Sequence, residues 1–186
     1  ILSAGQGMNP ARQASVKAGV PVDVPAMTIN KMCGSGLKAV ALAAQAIKAG
    51  DLETVVAGGI ESMSLAPYLL PNARFGYRMG DAEIVDSMIS DGLYDCMIDC
   101  HMGVTAEELS DNYSITRGEA DMYALQSQEK ALNAKESGRF ADEIIPVNVT
   151  LSNGSQSVVD IDEHPRTTSF EKLSGLKPAF QRLGVI

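Results

Sequence analysis

Apolar residues recur at different periods along this chain, and the changes of period outline a fold. From Ser35 the positions Leu37, Val40, Ala41, Ala44 and Ile47 repeat at helical spacing, and Gly50-Asp51 supplies a stop. Before that helix, Ala26 to Asn30 reads as a strand. After it, "ETVVAGG" (53–59) is a short, wholly apolar run of the kind buried on both faces of a parallel sheet. Strand, tight turn, helix, strand predicts a βαβ unit. Upstream, residues 9–19 predict a short helix ending at Gly19, and Pro21 and Pro25 bracket an extended link.

The texture changes after Ser64. "LAPYLLPNARFGYRMGD" is rich in Pro, Gly and aromatics and reads as an excursion, whereas "DAEIVDSMISDGL" (81–93) predicts a helix ending near Gly92. Thr105 with Glu108, and Thr116 with Glu119, both fit the capping-box pattern that starts a helix. The second opens a long helix from Glu119 to about Ser137, stopped by Gly138. "EIIPVNVTL" and "SVVDID" predict a hairpin around Asn153-Gly154, and from His164 the chain reads as loop. The division expected is a core over 1–64 and a second, α+β region over 65–186, whose hairpin (about 143–161) could return to the core sheet. No internal repeat or low-complexity tract interrupts this order.

Composition narrows the function classes. Of 186 residues, 45 % are hydrophobic and 20 % charged, which fits a globular chain. The net charge of −8 and the lack of any Lys/Arg run argue against a nucleic-acid partner. No apolar run reaches the roughly 20 residues of a bilayer span. Three cysteines, Cys33, Cys96 and Cys100, form no disulfide framework and fit a reducing, cytoplasmic compartment. The chain begins "ILSAGQG", without a methionine, so its true start is expected upstream and a targeting sequence stays possible.

The candidate chemistry sits in "KMCGSGLKAV". Residue type alone leaves two readings of Cys33, a small buried hydrophobe or a displayed nucleophile. Gly34 and Gly36 carry no side chain to shield the sulfur and permit a sharp bend. The helix that follows would set unpaired amides and the positive end of its dipole beside the thiol, favouring the thiolate and able to hold a developing oxyanion. Strand, cysteine, helix is the thiol counterpart of a nucleophile elbow.

A wider set of blocks bears on that choice. "INKMCGSGLKAVALAAQAI" resembles the acyl-enzyme signature of the thiolases, and "VVAGGIESMSLAPYLL" resembles their second block. "MGDAEIVDSMISDGL", "HMGVTAEELSDNYSITRGEAD" and "ALQSQEKALNAKESGRFADEIIPV" continue the resemblance in order, from about Gly5 to Phe180. The His-Met pair of "HMGVTAEEL" is similar to the short-chain biosynthetic branch. The resemblance implies a layered αβα thiolase-like fold of class α/β, present as an incomplete N-terminal half with an inserted α+β loop domain. It implies an acyltransferase of fatty acid metabolism that cleaves acetoacetyl-CoA or condenses two acetyl-CoA, with Cys33 carrying the acetyl group as a thioester. Leu93 and His101 would line the pantetheine channel of coenzyme A, Met102 would flank the acyl pocket, and Arg166 would lie near the adenine nucleotide. Arg74, Phe75, Tyr77 and Arg78 would belong to a tetramerisation loop, giving a homodimer paired into a homotetramer.

Each of those residues has a plainer alternative. His101 reads equally as a polar residue satisfied at a helix start, Met102 as gap-filling core, and Arg166 as a surface charge. The segment 163–182 is locally basic, with Arg166, Lys172, Lys177 and Arg182 against Glu163 and Glu171, a patch suited to an anionic substrate. "CMIDCH" lacks the second ligand pair of a zinc site, so neither metal nor cofactor is expected beyond coenzyme A thioesters as substrates. In the family, a second half supplies an Asn-Glu motif, a Gly-His-Pro histidine and a second cysteine, none of which occurs here. The chain is therefore expected to be an internal fragment, inactive alone. Rival classes are a β-ketoacyl-synthase-like enzyme acting on carrier-protein thioesters and a non-catalytic dimerisation or acyl-CoA-binding module.

Overall fold

In a computed structural model describing residues 1–186, the chain forms two compact units, Ile1–Met102 and Gly103–Ile186. The first begins with α1 (Pro10–Lys17), entered by proline at its first turn and capped by the Asn9 side chain, which accepts from the Arg12 amide. Polar bonds stitch α1 to the link that follows. Thr28 Oγ1 donates to Asn9 Oδ1 at 2.6 Å, and the Arg12 guanidinium donates to the carbonyls of Val22 and Val24. Gly19, at φ 89°, turns the chain after the helix, as its position in the sequence predicts.

Helix α2 (Ser35–Ala49) ends at Gly50, whose φ of 81° closes it in the left-handed conformation. The strands predicted on either side of it do not form. Residues 26–30 and 53–59 join no ladder. A parallel strand has no partner supplied by a local turn and forms only between neighbours brought up from afar, and no segment of 1–186 pairs with either run. Val56 is 94 % exposed, so this apolar run lies uncovered.

The predicted helix over 81–93 is also corrected. Val85–Asp86 is a strand, β2, pairing antiparallel with β1 (Tyr68–Leu69), and only Ser87–Leu93 coils, ending in a single wide turn over Ile89–Leu93. Ser87, 1 % exposed, anchors this change by donating its hydroxyl and its amide to the Pro67 carbonyl. A small hairpin follows, β3 (Tyr94–Asp95) against β4 (Cys100–His101), with Asp99 at φ 56° in its turn. The sequence pattern gives no sign of it.

Helix α3 (Met102–Tyr113) starts a turn before Thr105, so Thr105 with Glu108 is no capping box. The other box is present. Thr116 accepts from the Glu119 amide and Glu119 accepts from the Thr116 amide, opening α4 (Arg117–Glu136). Within unit Gly103–Ile186 the predicted hairpin pairs β5 (Val147–Thr150) with β6 (Gln156–Val159) around Asn153 and Gly154, the latter at φ 82°. The segment predicted as loop after His164 contains a five-residue helix, α5 (Phe170–Ser174), capped by Ser169. Arg117 holds it: the guanidinium pairs with Asp121 at 2.9 Å and donates to the carbonyls of Leu173 and Leu176.

Little apolar surface is enclosed. Leu2 is the one buried hydrophobic side chain, while Leu37 and Val40 of α2 are 78 % and 52 % exposed. The accessible surface is 14890 Å², whereas a folded monomer of this size exposes about 8,600 Å².

Candidate functional site

The bend around Cys33 is built from backbone geometry and two polar side chains. Met32 has φ 49°, the left-handed conformation, which costs a residue with a Cβ roughly 1–2 kcal/mol. Asn30 Oδ1 accepts from the Met32 amide at 2.9 Å. Ser35 Oγ accepts from the Lys31 amide at 2.8 Å and donates to the Met32 carbonyl at 2.7 Å. The Gly34 amide donates to Lys31 O and the Ser35 amide to Met32 O, closing the turn directly into α2.

The start of α2 carries no side-chain cap, because its N-cap residue is Gly34. The amides of Gly36 and Leu37 find no acceptor in the chain, and the ladder begins with Lys38 donating to Gly34 O. Cys33, the residue before that N-cap, is exposed. It lines a shallow groove of about 280 Å³ with Ile1, Met32, Ser35, Gly36, Gly59, Ile60 and Glu61. Gly59 faces the helix start, where a Cβ would lie 3.6 Å from the Gly36 Cα. The Glu61 carboxylate accepts from the Leu2 amide at 3.1 Å. An exposed thiol among unclaimed amides can attack a carbonyl carbon and have the resulting oxyanion met by N–H donors.

The other sequence-chosen residues of unit Ile1–Met102 lie outside that groove's lining. Leu93 ends the wide turn after β2, His101 pairs with Tyr94 across the β3–β4 hairpin, and Met102, 39 % exposed, opens α3. Gly92, next to Leu93, packs on Leu2, with a Cβ there 3.5 Å from Leu2 Cδ2. In the same hairpin the Tyr94 hydroxyl donates to Asp99, and that bond raises the phenol's pKa. Cys96 is exposed and Cys100 half-buried, and no group of three His, Cys, Asp or Glu side chains gathers to hold a metal.

Arg74, Phe75, Tyr77 and Arg78 fall on an exposed loop turned by Gly76 at φ 85°. Phe75 is 88 % exposed, and Tyr77 accepts from the Asn72 amide through its hydroxyl. In the other unit, Arg166 is exposed, and its amide donates to Gln128 Oε1 at 2.9 Å. Sequence reasoning missed Asn30 and Ser35, although both lie within five residues of Cys33 and are types that bond to nearby backbone. It also missed Phe180, whose ring lies so close to Gly103 that any Cβ there would clash.

Comparison with known proteins gives this geometry a lineage. The model of the thiolase N-terminal domain matches residues 1–186. The chain is 58 % identical to an acetyl-CoA acetyltransferase of Pseudomonas aeruginosa and 54 % identical to one of Cupriavidus necator, in each case over 100 % of this chain and 48 % of the relative. The solved structure of an acetyl-CoA acetyltransferase from Bacillus anthracis superposes with a TM-score of 0.94 at 42 % identity, covering 100 % of this chain and 47 % of that one. That from Syntrophomonas wolfei superposes with a TM-score of 0.90 at 40 % identity, covering 100 % and 46 %. The chain thus spans about half the length of the relatives it matches. Its backbone follows the thiolase path although two runs read as strands form no ladder here, and the fold class is the expected layered α/β one. This chain belongs to the thiolase family, as its N-terminal domain.

Proposed function

We propose that this chain is the nucleophile-bearing part of an acetyl-CoA C-acetyltransferase. The carrying observation is the exposed Cys33 thiol in a groove at an uncapped helix start. The Cys33 sulfur, its proton removed by a base from the rest of the protein, attacks the carbonyl carbon of acetyl-CoA. The C–S bond to coenzyme A breaks, coenzyme A leaves as a thiolate that takes up a proton, and the acetyl group stays on Cys33. A second acetyl-CoA, its methyl carbon deprotonated by a base, then attacks the acetyl carbonyl on Cys33. A C–C bond forms, the thioester C–S bond breaks, the Cys33 thiolate leaves and regains a proton, and acetoacetyl-CoA is released, the reverse sequence being thiolysis. Covalent capture divides one difficult step into two easier ones.

In this reading Leu93 and His101 contact the pantetheine arm, Met102 limits acyl length, and Arg166 meets the nucleotide end of coenzyme A. Arg74, Phe75, Tyr77 and Arg78 form the contact that pairs dimers into a tetramer, in the cytoplasm. Residues 1–186 alone do not turn over, because no histidine lines the Cys33 groove to act as base. The test uses the full-length protein incubated with acetyl-CoA and then digested. Acetyl on the Cys33 peptide, its loss in Cys33→Ala, and a drop in turnover on the order of 10⁴-fold are expected. Acetylation elsewhere, or full turnover by Cys33→Ala, would refute the reading.

A further inference from the structure

Methionine is a poor occupant of the left-handed region, which Gly, Asn and Asp enter far more readily. Met32 sits there immediately before Cys33, and both of its backbone polar groups are held. Its amide is held by Asn30 Oδ1 at 2.9 Å, and its carbonyl by the Ser35 hydroxyl at 2.7 Å and the Ser35 amide at 3.1 Å. Holding the peptide on each side of one residue fixes both of that residue's dihedrals. Ser35 does a second thing. Its oxygen also accepts from Lys31 N at 2.8 Å, tying the residue before Met32 to the helix start, where the amides of Gly36 and Leu37 stay unclaimed because the N-cap, Gly34, has no side chain.

We propose that Asn30 and Ser35 are positioning residues for Cys33, locking Met32 in its left-handed conformation so that Cys33 lines the groove with Gly36 at the uncapped helix start. The inference rests on the reading of Cys33 as the acyl-carrying nucleophile and adds the groups that aim it. Neither side chain needs to touch substrate. Without the Asn30 or Ser35 bonds, Met32 relaxes toward the right-handed or extended regions and swings Cys33 out of its place in the groove.

The experiment measures two rates on the full-length protein: single-turnover acetylation of Cys33 at saturating acetyl-CoA, and alkylation of Cys33 by iodoacetamide. Asn30→Ala and Ser35→Ala are each expected to slow acetylation about 10-fold or more, with the half-saturating acetyl-CoA concentration unchanged. Ser35→Thr, which keeps the hydroxyl, restores the rate. Met32→Gly enters the left-handed region without support, so adding it to Asn30→Ala recovers most of the loss measured against Met32→Gly alone. A residue acting by contact with substrate would show no such recovery.

Met32→Val, whose branched side chain resists that region, reads the same conformation without touching Asn30 or Ser35 and is expected to slow acetylation as they do. It decides the matter if the alanine variants fail to fold. Wild-type acetylation rates in Asn30→Ala and Ser35→Ala, a wild-type rate in Met32→Val, or no recovery with Met32→Gly would each overturn the proposal. If wild-type Cys33 takes no acetyl group at all, the acyl-carrier reading fails. The same ranking of variants in the alkylation rates then still supports positioning, and equal rates reject it.

Discussion

The units Ile1–Met102 and Gly103–Ile186 satisfy their chains in different ways. The second closes on itself through buried polar groups. Glu107, 2 % exposed, accepts from the amides of Val185 and Ile186 at 2.7 and 3.1 Å, and Arg117 joins the start of α4 to α5. The first is tied by fewer long-range polar bonds, the Leu2 amide on Glu61 among them, and leaves its apolar helix face and would-be strands uncovered, with Leu37 78 % and Val56 94 % exposed. Buried long-range polar bonds tie the second unit together, while both units present apolar surface that burial elsewhere would stabilise, Ile145 82 % and Leu183 94 % exposed among the second's. Cys33, itself exposed, lies in the first of these units.

Substitutions can break or sharpen the contrast, and the largest effect is expected at Glu107. Glu107→Ala strands two amides near the chain end and should destabilise the protein by about 2–4 kcal/mol. Urea unfolding would measure the loss, with hydrogen exchange at Val185 and Ile186 rising first. Unchanged exchange there would erase the distinction between the units. Arg117→Ala removes an ion pair to Asp121, 10 % exposed at its side chain, and two bonds to α5. It should cost about 1.5–3 kcal/mol and open residues 170–176 to limited proteolysis.

Thr116→Ala removes the α4 cap, a loss of about 1 kcal/mol in the same unfolding assay. The cap also predicts a pH response. Hydrogen bonds from the amide and then the hydroxyl of Thr116 hold the Glu119 carboxyl below its ordinary pKa. A depressed folded value means that this contribution is complete above the ordinary glutamate range and is lost as pH falls through the folded value. Protection of the first turn of α4 should therefore fall on acidification below that range, and Thr116→Ala should flatten the dependence. The smallest effect is expected in the first unit, where Leu37→Ala in chain 1–186 should change stability by no more than about 0.5 kcal/mol, for want of contacts to lose. A larger loss in the full-length protein would measure how much cover that face gains there.

Legibility in the sequence followed the range of the interactions. Helix α2, helix α4 with its Thr116–Glu119 box and the hairpin at Asn153-Gly154 were readable because period, cap and turn are local signals. Residues 26–30 and 53–59 read as strands because their side chains suit a buried sheet, but a ladder needs partners and composition supplies none. Val85–Asp86 hid inside a helical pattern because pairing with Tyr68–Leu69 and the Ser87 anchor to Pro67 outweigh propensity. At the site, Cys33 was legible from its glycines and the helix behind it. The bonds of Asn30 and Ser35 depend on the left-handed turn at Met32, which a methionine does not announce.

The closeness of Gly103 to the Phe180 ring has a consequence for how such chains diverge. These positions are far apart in sequence yet share one space, with no room for a Cβ at the first. Drift at either is therefore contingent on the other. A chain that acquires alanine or anything larger after its His-Met pair obliges the Phe180 ring to turn aside or shrink, so changes at the two positions should be correlated across descendants.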